Sequence, residues 1–438
     1  MNKTTLFVVT LLSVLAFTMI PMAQTTDDIT ITYDVALAKE HLLAEYDAGM
    51  VESNGLPELT PWNVDIIDAE IPNDGEGVYV AVLDTGLLQE WPFFFSQADI
   101  AWELGIGFTH DIWWDDGFWM GPLRDDRGFI TKPFEGSGHG THVTSTIVGF
   151  NYNNIYWIKG VAPKATIIPV LVLDAWEIPY PGGVARWTGG TEEMVAAGIF
   201  YVADLAESLD GPVIISMSLG GSSPGALEEA AIDYAISKGV IVVASAGNRG
   251  YDGMGWPGAF PQVISCAMAG WTEQFLHSWV ADVPEDLNTP DFWGNNWQLF
   301  LDYLSSRPNL DLGQKSFHLD VTAPGAAVVG PYKSYFSYSI GYYYLWGTSM
   351  AAPHVSGTAA LVLQSHPDLT QDEVAFILKT AAASLPLPCD GSWAIDFPPD
   401  YMWYFTWYGI DWGSGFIRAD AAMFKADVFA GGRFRGPS

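Results

Sequence analysis

Val78-Tyr-Val-Ala-Val-Leu-Asp84-Thr-Gly86 is the stretch on which the reading of this chain turns. Its unbroken apolar run leaves no polar face, as in a strand covered on both sides. The run stops at Asp84, and Gly86 permits a tight exit. Comparable runs predict strands over Ile167–Leu173, Val213–Leu219, Val240–Ala244 and Val263–Ala267. Helical patterns lie between and after them, at His139–Val148, Thr191–Leu209, Ala226–Lys238, Ser349–Ser365 and Gln371–Ala382. Asp368-Leu-Thr370-Gln-Asp-Glu373 is a capping-box arrangement that opens the last of these. The alternation predicts an α/β fold, a mostly parallel sheet between two helix layers. Sites in such sheets form beyond the carboxyl ends of strands, which is where Asp84 falls.

Two further glycine-flanked words follow: Gly138-His139-Gly-Thr-His142 and Gly347-Thr-Ser349-Met-Ala-Ala-Pro-His354. A serine hydroxyl is a poor nucleophile until an adjacent base takes its proton. An imidazole serves when a carboxylate sets its tautomer and stabilises the imidazolium. His139 and His142 stand one helical turn apart on one face, so spacing alone does not choose between them. Ser349 opens a long apolar helical pattern, which places its N–H at a positive helix end. Ala244-Ser-Ala-Gly-Asn248 follows a buried strand and offers an amide as a second donor toward a developing oxyanion. Singly these residues read as a turn former, a structural histidine and a helix cap. Together, in the order Asp, His, Ser, they point to acyl transfer through a serine nucleophile.

With that order and context the chain resembles the subtilases, the subtilisin-like serine peptidases of peptidase family S8. The resemblance covers roughly residues 58 to 424 and includes Gly160-Val-Ala-Pro163, Ile215-Ser-Met-Ser218-Leu-Gly-Gly221, Leu319-Asp-Val-Thr-Ala-Pro324-Gly and Gly415-Phe-Ile-Arg-Ala-Asp-Ala. It implies a subtilisin-like three-layer α/β/α fold and a secreted serine endopeptidase acting on polypeptides with no cofactor in the chemistry. By resemblance Asp84, His139 and Ser349 are catalytic, His139 being preferred to His142, and Asn248 supplies the oxyanion amide. Ser218-Leu219-Gly220 would be the edge that pairs with extended substrate by β-augmentation. The Trp256-Pro257 bond would be cis. Arg249, if its guanidinium faces the pocket, would disfavour basic side chains in the substrate; a solvated Arg249 is the other reading. Family calcium loops follow the catalytic histidine helix. Phe150-Asn-Tyr-Asn-Asn-Ile-Tyr156 supplies amides there, so a structural calcium and solvent-facing amides stand as alternatives. Ser145 and Ser137 depart from the family pattern without removing a catalytic group.

The same residues would serve a transpeptidase or macrocyclase, in which an amine intercepts the acyl-enzyme, and an inactive binding protein could retain the fold. A neutral imidazole base predicts a rate that falls as pH drops below about 6–7.

The 438 residues carry 51 acidic and only 18 basic side chains, a net charge of −33 that arises from scarce bases. No basic patch exists to neutralise phosphates, which argues against a nucleic-acid partner. Lys3, the apolar Leu6–Ile20 and the small Ala23 read as a signal peptide over 1–23, a retained anchor being the alternative. Residues 24–58 form a short propeptide-like segment, with a strand pattern at Ile29–Tyr33 and a helical one at Val35–Tyr46. The peptidase domain is expected over 59–430, as a monomer with no stable membrane span after leader removal. Cys266 and Cys389 are the two cysteines, bonded or free. Trp102–Pro133 and Trp271–Ser316 read as long loops rich in Trp, Asp and Asn or Gly. Their tryptophans could grip a substrate or close a small satellite core.

Overall fold

A computed structural model describes residues 9–10, 55–132, 138–274, 279–287, 289, 298–333, 340–383, 390–397 and 401–433. Apart from 9–10 and 55–58, the leader and the 24–58 segment lie outside the described residues, as do Ser137 and Cys389.

The central sheet is built from β1 (Tyr79–Asp84), β2 (Thr166–Leu171), β3 (Val213–Met217), β4 (Ile241–Ser245), β5 (Ile264–Trp271) and β6 (Val321–Pro324). Across the sheet the order is β5-β4-β3-β1-β2, with β6 alongside β5. All of these pairings are parallel. β1 therefore sits inside the sheet, with the chain continuing to β2 on one side and to β3 on the other. That reversal is the topological switch point, where open α/β sheets leave a crevice at their carboxyl ends.

The helices are α1 (His139–Val148), α2 (Glu192–Ala206), α3 (Ala226–Ser237), α4 (Thr348–Ser365), α5 (Gln371–Ala382) and α6 (Ala419–Arg433). α2 and α3 pack on each other and against the sheet; α1, α4, α5 and α6 form the other layer. This is the three-layer α/β/α arrangement expected from the sequence. α4 is apolar or small around its whole circumference, and every residue from Thr348 to Leu363 is buried. A helix with no polar face has to be surrounded. It runs behind β3, β4 and β5 and delivers its first turn to the carboxyl ends of the strands.

Strand and helix positions agree with the sequence reading to within a few residues at their ends. β5 is the exception, running on to Trp271 because Leu299–Leu301 pairs antiparallel with Ala269–Trp271. The two long stretches are not loops throughout. Thr109–Trp114 and Phe118–Arg124 pair as an antiparallel hairpin. A second hairpin, Asp174–Tyr180 with Gly183–Gly190, lies against it. Neither hairpin was legible as strand, because aromatic and acidic residues interrupt the alternation.

Candidate active site

Asp84 ends β1 with its carboxylate fully buried. Oδ1 accepts from the Thr85 N–H at 2.7 Å. The Asp84 carbonyl accepts from Val172 and Leu173 at 2.9 and 3.1 Å, which ties the strand end to the exit of β2. α1 starts against this exit. Gly140 N–H donates to the Thr85 hydroxyl at 2.9 Å. A Cβ on Gly140 would stand 2.3 Å from the Gly86 carbonyl oxygen, so the close approach requires glycine. His139, the first residue of α1, is thereby set with Nδ1 at 2.8 and 2.9 Å from the two Asp84 oxygens. A carboxylate only accepts, so Nδ1 carries the proton. Nε2 is buried with no hydrogen-bond partner among the described residues.

The ambiguity between the two histidines disappears. His142 places Nε2 at 3.1 and 3.3 Å from the carbonyls of Val328 and Tyr343, on the hairpin that covers α1. Burial, and then the nearby His139, push His142 down to about 3. It is a neutral packing residue. The Ser145 hydroxyl donates to the His142 carbonyl at 2.7 Å, and the helix takes it because Gly330 faces it. A Cβ there would stand 2.5 Å from Ser145 Oγ. His354 is buried between the Met350 carbonyl and Asn63, and burial lowers it to about 4.

Ser349 reaches the same place from the other side of the switch point. In the sheet Met217 is the register partner of Leu83, so Ser218 and Asp84 leave adjacent strands side by side. Adjacent strands lie about 4.8 Å apart. Ser218 Oγ donates to the Ser349 carbonyl at 2.6 Å, and Ser349 Oγ donates to the Ser218 carbonyl at 3.2 Å. The hydroxyl thus rests on Ser218 instead of on His139 Nε2, an alignment commonly completed only when substrate is bound.

Asn248 sits in the loop after β4. Its Oδ1 accepts from the Thr348 N–H at 2.9 Å and from the Thr348 hydroxyl at 3.0 Å. A backbone N–H can only donate, so the amide orientation is fixed and the NH2 end is left to bind a ligand. Thr348 Oγ1 in turn accepts from Gly247 N–H at 3.0 Å. Ser349 lies in the first turn of α4, where backbone N–H groups have no intrahelical acceptor.

Arg249 places its guanidinium on the Met254 carbonyl at 3.0 Å, within its own loop. After Ser218, Leu219 is buried, and Gly221 bridges antiparallel to Trp256. The Trp256-Pro257 bond is cis. Cys266 is a buried free thiol, pushed up by burial. Phe150–Tyr152 and Tyr156–Ile158 form a hairpin whose amides bond to one another, Asn151 Nδ2 to Asn154 Oδ1 at 2.7 Å and Asn154 N–H to Asn151 Oδ1 at 2.8 Å. Both amide oxygens thus accept a hydrogen bond within the loop. Among the described residues no three His, Cys, Asp or Glu side chains cluster to hold a metal.

A model of the subtilase family matches residues 75–397. The chain belongs to the subtilase family. This subtilase is 30% identical over 332 residues to "Subtilisin Savinase" of Lederbergia lenta, covering 75% of this chain and 93% of that one. It is 29% identical over 338 residues to an "Alkaline protease" of Alkalihalobacillus alcalophilus, covering 76% and 67% respectively. Among solved structures, "Sphericase" superposes with a TM-score of 0.54 at 28% identity, covering 82% of this chain and 97% of the other. The subtilase is a serine-type endopeptidase, a hydrolase of polypeptides that needs no cofactor for its chemistry. Among the described residues no helix is long and apolar enough to cross a membrane.

Sequence reasoning missed the residues that hold this site. Thr85 and Thr348 lie inside the quoted words, and a hydroxyl beside Asp84 and beside Ser349 was a usable signal. Ser218 was read only as substrate edge. The turn at Asp302–Arg307, which packs behind Asn248, carried no signal.

Proposed function

We propose that this subtilase is a secreted endopeptidase that cleaves peptide bonds through an acyl-enzyme on Ser349. The observation that carries the reading is the Met217–Leu83 register, which sets the Asp84–His139 pair beside the Ser218–Ser349 pair. Turning about χ1, Ser349 Oγ exchanges the Ser218 carbonyl for His139 Nε2 and attacks the scissile carbonyl carbon. Nε2 takes the hydroxyl proton while Asp84 stabilises the imidazolium. The oxyanion is held by the Ser349 N–H and the Asn248 NH2. As the C–N bond breaks, His139 gives its proton to the leaving amine, and water repeats the sequence to free the acid. Extended substrate would lie along Ser218-Leu219-Gly220. Among the described residues Gly220 makes no backbone hydrogen bond, which leaves its N–H and C=O for a peptide. Export rests on the 1–23 leader, and the enzyme would act as a monomer with residues 24–58 removed or retained as a short propeptide.

A fluorophosphonate probe should label wild type and not Ser349→Ala, and cleavage of a diverse peptide library should fall about 10³-fold or more in the variant. Unlabelled but folded wild type would overturn the reading in favour of a binding protein. Ligated products in mass spectra would convert hydrolysis to transpeptidation. Full activity at pH 3 would remove His139 as the base.

A further inference from the structure

Behind the two oxyanion donors lies a buried turn, and it touches both sides of the site. On the Asn248 side, Ser306 N–H donates to the Gly247 carbonyl at 2.8 Å, Gly250 N–H to the Leu304 carbonyl at 2.9 Å and Arg307 N–H to the Gly250 carbonyl at 2.9 Å. Ser306 Oγ also accepts from Arg249 N–H at 3.0 Å. Four bonds thus clamp Gly247–Gly250, the loop that presents Asn248. On the nucleophile side, the Trp346 indole N–H donates to Asp302 Oδ2 at 2.6 Å. Trp346 immediately precedes Gly347-Thr348-Ser349.

The turn itself is rigid. Asp302 Oδ1 accepts from Leu304 N–H at 2.7 Å. Arg307 Nη1 donates to the carbonyls of Asp302, Tyr303 and Ser305 at 3.1, 3.0 and 2.6 Å. Ser305 Oγ accepts from Met268 N–H on β5 at 3.0 Å. Asp302 is wholly buried and Arg307 is 2% exposed. Arg307 Nε faces the Asp411 carboxylate at 3.4 Å, and Nη2 has no hydrogen-bond partner among the described residues.

We propose that Asp302 is a positioning residue of the hydrolytic site, holding the strand into Ser349 at a fixed offset from the Asn248 loop through its bond to Trp346. The proposal rests on the acyl-enzyme reading above. An oxyanion hole works because its donors are in place before charge develops. Its two donors come from segments a hundred residues apart. Thr348 meets the Asn248 loop directly, through Asn248 Oδ1 and the Gly247 N–H, and Asp302–Trp346 adds a separate link from the turn behind. Loss of that separate link should leave substrate binding intact and loosen the donors where the tetrahedral intermediate forms.

The test uses the full chain with Asp302→Asn, Trp346→Phe and the double variant. Asparagine can still accept from Leu304, and phenylalanine keeps a half-buried ring while removing one N–H. Each single variant should lose about 10- to 100-fold in kcat with KM within about threefold. A peptidyl boronic acid, which imitates the tetrahedral species, should weaken by the same factor. A peptide bound to the Ser349→Ala form should keep its affinity when Asp302→Asn is added. The double variant should be no worse than the poorer single one, because both break one bond. Wild-type kcat and boronate affinity in folded Trp346→Phe would overturn the proposal, even if Asp302→Asn failed to fold. A change confined to KM would overturn it also. Absence of fluorophosphonate labelling in wild type would instead sink the underlying reading, so the two failures are distinguishable.

Discussion

Two stretches of this chain have nearly the same composition and opposite fates. Residues 102–133 and 271–316 are both rich in Trp, Asp, Gly or Asn. The first folds outward. Its hairpin pairs Trp113 with Trp119 and Trp114 with Phe118, and its rings meet Tyr180 of the neighbouring hairpin, with Trp114 centred 4.9 Å from Phe118 and 5.6 Å from Tyr180. Trp113 and Phe118 remain 45% exposed. In the described part of the second, Gln298, Asp302, Ser305, Ser306, Arg307 and Gln314 are all buried. The difference lies in where the backbone finds its partners. A hairpin satisfies its own N–H and C=O groups and can stand in water. A buried irregular turn cannot, so side chains must supply the missing donors and acceptors. Arg307 and Asp302 do that here, and the outer hairpins receive such help at their base. There the buried Asp174 accepts from Thr109 Oγ1 at 2.7 Å and from Arg127 and Lys132 at 3.2 Å.

The comparison can be broken first at Arg307. Arg307→Met strands the Tyr303 and Ser305 carbonyls and leaves Asp411, whose carboxylate lies 3.4 Å from Arg307 Nε, without its cation. Loss of about 3–5 kcal/mol is expected in the denaturant midpoint, with activity lost in parallel. A variant that keeps its midpoint would show that the inner turn is not what holds this region.

Asp174→Ala should remove about 2–3 kcal/mol, read locally. Hydrogen exchange should quicken in 109–124 and 174–190 while the sheet around β1 and β3 stays protected. Uniform loss of protection would mean that the outer hairpins are part of the core.

A third experiment concerns pH. Burial raises Asp302 to about 6 from an ordinary 3.8, against the pull of the Leu304 amide, the Trp346 indole and Arg307. A folded pKa above the unfolded one contributes stability below the unfolded value and loses it as pH rises through the folded one. The stability advantage of wild type over Asp302→Asn should therefore shrink by about 2 kcal/mol between pH 4 and pH 7. Parallel stability curves for the two proteins would rule this out. At the small end, Trp113→Ser on the exposed face should change stability by less than about 1 kcal/mol. A larger loss in a thermal melt would show that the aromatic platform carries more than surface packing.

Much of the site was legible because its chemistry is local. Asp84 follows an apolar run, His139 opens a helix between glycines, and Ser349 opens another. Each such signal spans fewer than ten residues. The same holds for the main strands and helices, whose periodicity is written in neighbouring residues. His139 against His142 was not local, since both sit on one face of α1. Only the Asp84 carboxylate on one side and the Val328 and Tyr343 carbonyls on the other distinguish them.

The sequence alone determined the layered α/β plan, the positions of Asp84 and Ser349 at a strand exit and a helix start, and the loop that carries Asn248. It did so because alternating apolar runs, helix starts and glycine exits depend on nearest neighbours. Tertiary structure decided which histidine meets the carboxylate, that Ser218 and Asp84 leave adjacent strands together, and that Asp302 and Arg307 are buried while Trp113 and Phe118 stay exposed. These outcomes depend on pairing between segments far apart in the chain and on where buried polar groups find partners, conditions that no single segment contains.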